Sequence, residues 1–541
     1  MNLHLSINIL LVIIAAPVIV ATPAQLRNCD GSVRHVHLAV GPDPSTSMTV
    51  SFSSIPAEWD IEVHGAVLIG TDPNHMDQLI LEEEDPFFYT SIQPRGKNYS
   101  SPYQHHITIM DLSPRTTYFY MCLTRNTIRE LLDLQEDLDI LRMDKEGIAK
   151  RVDVAQQNSL SESMQPKRRH LMTRLAEEQS LLRRRLSLPP YDSTQCACPD
   201  PYKIRKFSTP GLPGHSLPKI AILGDIGQFP HSEATLDHLR VNHADIDLIT
   251  LAGDLAYPDL DHRRWDTFMD FFDDYPLIEY VPMHITPGNH DIDKPLQGNQ
   301  IFASYEARFR MPRIQPAELG TYDDPVGQIN LDRPPYPLEY QFGNAYYAFQ
   351  YGKTHQIFIS SYSAMEPGSK QYEWLVEELM SVNRKETPWL IVTYHVPVYN
   401  TFREHQQDYQ RFKTQQYIEP LLVEYKVNLV FNGHIHAYLR TKPVAFGNLT
   451  KTGPIHIVMG AGGRNAKAEF LSEEPEEWVA VRDATTYGYG LLEICNKTHA
   501  RWDWIHTGQE SDHNVVFKKD ISLPPGGMDH TYFENQYFLE E

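Results

Sequence analysis

Two histidines one residue apart, His434 and His436 in GHIHAY (433–438), follow the apolar run VNLVFN. Side chains at i and i+2 of an extended segment point to one side, so at a strand end both imidazoles can reach one point. Such a pair also fits loop or core histidines bonded within the protein; it signals a metal only with partners. Four other runs end in chemically useful residues. Asp225 closes KIAILGD, and Asp254 closes DLITLAGD, with Tyr257 three residues on in GDLAYPD. Asn289 and His290 close PGNHD, and His395 closes WLIVTYH. Each alone has a structural reading: an aspartate after a strand caps the next helix, Asn-His-Asp after glycine makes a turn, and a tyrosine fits a core. Together, two Asp, one Asn, one Tyr and three His mix carboxylate, amide, phenol and imidazole. That set exceeds the needs of one cation and suits two ions sharing a bridging carboxylate.

Those residues converge only if the runs share a sheet. From about residue 215 onward, apolar β-rich runs alternate with amphipathic stretches, the pattern of an α/β domain. In open α/β sheets ligands bind at the carboxyl ends of the strands, where these residues fall. Upstream, residues 33–125 hold short β-branched and aromatic runs (HVHLAVG, SMTVSFSS, AVLIGT, HHITIMD, TTYFYMCL) separated by turn residues, which predicts a β-sandwich over 22–125. Residues 126–198 are charged, with Leu131, Leu134, Leu138 and Leu141, then Leu171, Leu175, Leu182 and Leu186, at helical spacing; they predict a helical insertion.

Composition bounds the rest. A chain of 541 residues needs more than one core. Lys+Arg 48 against Asp+Glu 70 leaves a net charge of −22, which excludes a nucleic-acid binder by bulk charge. The apolar stretch Ile9–Ala21 is short for a membrane span and fits a signal peptide of residues 1–21, although no Lys or Arg precedes it. Sequons at Asn98, Asn448 and Asn496 agree with a secretory route. Five cysteines (Cys29, Cys122, Cys196, Cys198, Cys495) allow up to two disulfides and one thiol.

The blocks GDIG, GDLAY, GNHD, VTYH and GHIH occur in the order of the five motif blocks of metallophosphoesterases, and the chain resembles purple acid phosphatases. Many relatives have D-x-H in the first block; here Gly227 stands in the histidine position, and Tyr257 can replace the missing ligand. The 33–125 region resembles the fibronectin type III-like domain of the larger, plant-type members. KIRKFSTPG (203–211) resembles that domain's last strand, at about 199–212, which makes 126–198 an insertion. YGYGLLEICNKTHARWDW (487–504) resembles the family's C-terminal segment.

The resemblance implies a layered α/β/β/α catalytic domain over 213–506, preceded by the all-β sandwich and followed by a tail of 507–541. It implies that Asp225, Tyr257 and His436 hold a first metal, Fe(III), that Asn289, His395 and His434 hold a divalent second (Zn, Fe or Mn), and that Asp254 bridges. The two ions outweigh two aspartates, one tyrosinate and one hydroxide, leaving a positive site suited to phosphate. Water activated by the ions would attack in line. His290, not needed for metal, is the candidate proton donor to the leaving group. His405 matches a second substrate histidine. The family often has Trp at the position of Val398, which places Val398 at the pocket mouth, and Glu at that of Asp291.

The expected function is a secreted or endomembrane, including vacuolar, acid phosphatase acting on small phosphate monoesters, with no membrane span after signal cleavage. A phosphodiesterase or nucleotide pyrophosphatase on the same scaffold is the alternative enzyme. A non-catalytic secreted binding protein is the rival from another class, and it should have lost ligands. A homodimer, and an unknown partner for the helical insertion, are left open.

Overall fold

The computed structural model of the chain describes residues 33–55, 64–73, 75–92, 98–124, 203–293, 301–312, 330, 332–464, 468–509 and 529–539. The expected signal peptide and the whole of the helical insertion, 126–198, lie outside these.

The five N-terminal runs form strands, and two more join them. One sheet orders Val33–Val40, Met48–Ser54 and Tyr103–Ile109; the other orders Gln78–Leu81, Gly65–Gly70, Thr117–Thr124 and Arg205–Ser208, all antiparallel. Val36, Leu38, Val50 and Ile107 of the first sheet pack on Val67, Ile69, Tyr120 and Phe207 of the second. This is the sandwich read from the sequence. Its last strand is Arg205–Ser208, within the predicted 199–212.

Two larger sheets follow. The first orders Met283–Ile285, Leu248–Leu251, Lys219–Leu223, Thr486–Ile494, His499–Gln509 and His530–Glu534; its first three strands are parallel and the rest antiparallel. The second orders Tyr347–Tyr351, Thr354–Phe358, Trp389–Thr393, Leu429–Asn432, Ile455–Met459, Tyr438–Thr441 and Val479–Asp483, with four parallel strands at its centre. Ile222, Leu251 and Ile285 share one core with Phe358, Ile391, Phe431 and Ile457, so the sheets pack face to face. The outer face of the second sheet (Ile357, Leu390, Val392, Val430) is covered by Leu375 and Leu379 of the helix Lys370–Ser381 and by Ile418 and Leu422. The helix Pro230–Asn242 lies on the strands Thr486–Ile494 and His499–Gln509 of the first sheet. The result is the expected α/β/β/α layering.

One expectation is revised. Part of the 507–541 segment, read as a tail, is built into the catalytic sheet: His530–Glu534 forms its edge strand, and the Asp529 carboxylate accepts bonds from Tyr438 and Arg440.

The sandwich is clamped to the catalytic domain by buried polar pairs. Arg34 and His35 both reach the Asp270 carboxylate, and Arg205 pairs with Glu279 at 2.5 Å. Arg308, buried, donates to Tyr89, Tyr99 and Asp266. Breaking one partner of such a pair would leave a buried charge uncompensated.

Candidate metal centre

Every parallel strand feeding the site ends a few residues before a donor. Leu223 precedes Asp225; Leu251 precedes Asp254 and Tyr257; Ile285 precedes the short turn Asn289–Asp291. Thr393 precedes His395, and Asn432 precedes His434 and His436. The facing sheets put these ends side by side. The turns are sharp: Asp225, Asp254, Tyr257 and His434 have φ of 52°, 52°, 48° and 71°. Left-handed backbone costs a non-glycine residue on the order of 1–3 kcal/mol and persists where packing enforces it. Gly433 is required by crowding, since a Cβ there would collide with the Asp225 carboxylate.

The donor atoms meet. The Tyr257 hydroxyl lies 3.1 Å from Asp225 Oδ1 and 3.0 Å from His436 Nε2. Asn289 Oδ1 lies 3.2 Å from His395 Nε2 and 2.9 Å from His434 Nδ1. Asp254 Oδ1 lies 3.4 Å from His395 Nε2 and accepts the His290 backbone N–H at 2.8 Å. Asp225, Asp254 and His436 offer ligand atoms within 4.8 Å of one another, and so do Asp254, His395 and His434. Asp254 belongs to both groups, the place of a bridging carboxylate.

Electrostatics agree with cation binding. Burial would raise the Asp254 carboxyl, but His395, His290 and His434 hold it well below the usual carboxylate range. Burial, reinforced by the charges of Asp225 and Asp254, pushes the Tyr257 phenol well above its ordinary value. Without a cation it stays a neutral hydroxyl that donates to Asp225. Burial pushes His434 down to about 3, so it stays neutral, the form that binds metal. Burial would lower the His395 imidazole, but Asp254 and Asp225 raise it to about 9, so a cation binding there displaces a proton; its Nδ1 donates to the Ala252 carbonyl at 2.7 Å, leaving Nε2 for the site.

The structure brings together all seven donors read from the sequence, with His290 and His405 beside them. His290 packs on the Tyr257 ring (centroids 4.6 Å apart), and its Nδ1 is 2.6 Å from Asp259. His405 lies against His434, ring centroids 3.9 Å apart. At Gly227, φ +57°, a Cβ would run into the Phe229 ring and lie 3.1 Å from that of Tyr257. Phe229 and Tyr257 thus leave no room for a larger side chain at position 227. Val398 is corrected: at 1% exposure it packs with Tyr399 and Val444, not at a pocket mouth.

Near the site, the sequence reading noted Asp291 only as a departure from the family, and Tyr362, Asp408 and Arg464 escaped it. Asp291 accepts the backbone N–H groups of Leu255 and Gly288, both at 2.9 Å, and so ties two ligand loops together. Tyr362 donates to Asn289 Oδ1 at 3.2 Å. Asp408 bonds both His405 and His434. The Arg464 backbone N–H donates to the Asp225 carbonyl; its guanidinium lies over Phe229 and Tyr257, 4.8 and 5.1 Å from the ring centroids. No strand pattern marks these positions. Only the proximity of Asp291 to GNH and of Arg464 to a glycine-rich strand end offered a signal.

Fold and site together define a metallophosphoesterase. The family model for calcineurin-like phosphoesterases matches residues 218–438. Those for the purple acid phosphatase N-terminal domain and the iron/zinc purple acid phosphatase-like C-terminal part match 33–131 and 453–516. Probable purple acid phosphatase 20 of Arabidopsis thaliana is 33% identical over 324 residues, 60% of this chain and 69% of that one. Purple acid phosphatase 18 of the same plant is 36% identical over 285 residues, 52% and 58% of the two chains. The purple acid phosphatase from yellow lupin (Lupinus luteus) seeds shares the fold, with a TM-score of 0.60 at 19% identity, over 88% of this chain and 72% of that one. The chain belongs to the purple acid phosphatase family, and its class is the binuclear-metal acid phosphatase, a phosphoric monoester hydrolase.

Proposed function

We propose that Asp225, Tyr257 and His436 hold a ferric ion, that Asn289, His395 and His434 hold a divalent ion (Zn, Fe or Mn), and that Asp254 bridges them. The observation that carries this is the membership of Asp254 in both donor groups. The donor chemistry fits. A phenol, two carboxylates and an amide oxygen are hard ligands, and the phenol suits a trivalent ion once deprotonated. Bound there, the ions supply activated water and charge stabilisation for in-line phosphoryl transfer.

The chain's own side chains do the rest. His290, at the edge of the centre, delivers a proton to the leaving oxygen. His405, beside His434, contacts the phosphoryl group or its leaving group. The Arg464 guanidinium, without a carboxylate partner among the described residues, adds positive charge beside the centre of a protein of net charge −22.

The test joins metal analysis of the purified protein with release of phosphate from a simple aryl phosphate. Two metal ions per chain and turnover are expected. Folded, metal-loaded protein that leaves a monoester intact would overturn the reading. The rival binding-protein reading expects ligands lost, whereas all seven are present and convergent.

The secretory route is proposed on the 1–21 segment and the sequons. Asn448 and Asn496 are exposed, as glycan acceptors must be. No helix among the described residues is long and apolar enough to cross a membrane. Among the described residues, Cys122 and Cys495 are free thiols.

The 126–198 insertion is proposed to be dispensable for chemistry. Thr117–Thr124 and Arg205–Ser208 are antiparallel neighbours, with Tyr120 opposite Arg205. The chain therefore leaves and re-enters the sandwich at one end of adjacent strands, which a short connection can join. Replacing 128–190 with a flexible linker should keep aryl phosphate turnover within a few-fold. A secreted, folded deletion protein without turnover would show that the segment builds or covers the site.

A further inference from the structure

Asp408 lies in the loop after His405, just before the short helix Tyr409–Lys413. Its Oδ2 is 2.6 Å from His434 Nε2 and 2.9 Å from His405 Nδ1. The carboxylate is nearly enclosed, its side chain 10% exposed, and the two imidazoles it holds lie against each other, centroids 3.9 Å apart. The opposite nitrogen of His434, Nδ1, is the one that points at Asn289.

We propose that Asp408 is a positioning residue that fixes His434 for the divalent ion and His405 for the substrate through one shared carboxylate. The inference rests on the reading of His434 as a ligand of the second metal. A histidine binds metal through one nitrogen, and a hydrogen bond from the other sets its tautomer and ring plane. The two His434 nitrogens have two different partners here. The proton sits on Nε2, donated to Asp408, and the lone pair on Nδ1 faces the centre. The same oxygen accepts from His405 Nδ1, which leaves His405 Nε2 as the nitrogen available to substrate. Residues 400–406 are held by their own bonds, among them Asn400 to Glu404 and Arg403 to Glu469, and because one oxygen serves both rings, Asp408 adds a direct tie from His405 to a metal ligand. Loading of the second metal and presentation of His405 are therefore coupled.

An amide at position 408 offers one acceptor oxygen, uncharged, so it holds each ring weakly. The iron-side residues Asp225, Tyr257 and His436 make no bond to Asp408 among the described contacts, so the effect should fall on one metal only.

The experiment uses the full-length holoenzyme and its Asp408→Asn and His405→Ala variants. Three quantities are followed: loss of the divalent ion to a chelator, the visible absorption of the ferric site, and kcat and KM for an aryl phosphate. Wild-type turnover and two bound metals test the underlying metal assignment separately. Asp408→Asn should weaken retention of the divalent ion about 10- to 100-fold, leave the visible band in place and raise KM. His405→Ala should raise KM but keep divalent retention within a few-fold, because the Asp408–His434 bond remains. Unchanged divalent retention in Asp408→Asn would overturn the proposal. Equal loss of both metals and the band would overturn it too, by showing a general structural role. So would equal metal loss in His405→Ala, which would place the effect in the loop rather than in the carboxylate.

Discussion

Replacing His290 with alanine is expected to lower kcat by about 10²–10⁴ while both metals stay bound. The geometry separates His290 from the metal donors. Asn289 turns its amide oxygen inward, whereas His290, the next residue of the same turn, lies on the outer face of the Tyr257 ring, with Nδ1 held by Asp259. That bond leaves Nε2 as the free proton carrier. Burial would lower its pKa, but Asp254 and Asp259 together hold it up at about 9, and cations bound next to Asp254 will oppose that rise. The proton matters most when the leaving alkoxide is basic. The loss in kcat should therefore be largest for alkyl phosphates and shrink for nitrophenyl phosphates, which depart without help. An equal loss for good and poor leaving groups would assign His290 to phosphate binding instead. Asp259→Asn, which removes the charge but keeps the shape, should reproduce part of the same leaving-group dependence.

The site was legible in the sequence because its donors sit where strand patterns stop. KIAILGD, DLITLAGD, WLIVTYH and VNLVFNGHIH are buried strands whose apolar residues announce them, and a parallel strand hands its next residues to the carboxyl edge. The sandwich was legible for a similar reason: regular short runs separated by turn residues. The supporting residues had no such marker. Asp408 serves His434 from 26 positions away, and Tyr362 serves Asn289 from 73; only packing joins them. Val398 failed for the opposite reason. A difference from relatives at one position suggested a pocket residue, but Tyr399, Val444 and Trp478 close over it, and Trp478 comes from a distant loop. The edge strand His530–Glu534 was hidden because its HTYFE is mostly exposed and shows little apolar patterning.

Tyr257→Phe is expected to abolish the protein's visible colour. A phenolate bound to a ferric ion absorbs in the visible by charge transfer from ligand to metal; a phenyl ring cannot. The wild-type protein purified aerobically with iron should therefore be coloured. The substitution is conservative in packing. The ring, fully buried against Phe229, His290 and the Arg464 guanidinium, keeps those contacts, so folding should survive. What is lost is the oxygen that meets Asp225 Oδ1 and His436 Nε2, and with it the anionic donor proposed for the first metal. Iron retention should fall with the band, while the divalent ion, proposed to sit on Asn289, His395 and His434, should be affected less. Asp254→Asn should do different damage: Asp254 belongs to both donor groups, so both ions should weaken together and turnover should collapse. Metal analysis and absorption spectra of the two variants, measured side by side, separate a one-metal ligand from a bridge. An iron-replete Tyr257→Phe protein with an unchanged visible band would remove Tyr257 from the ligand set, and Gly227 would then leave the ferric ion with no phenolate or histidine in place of the missing ligand.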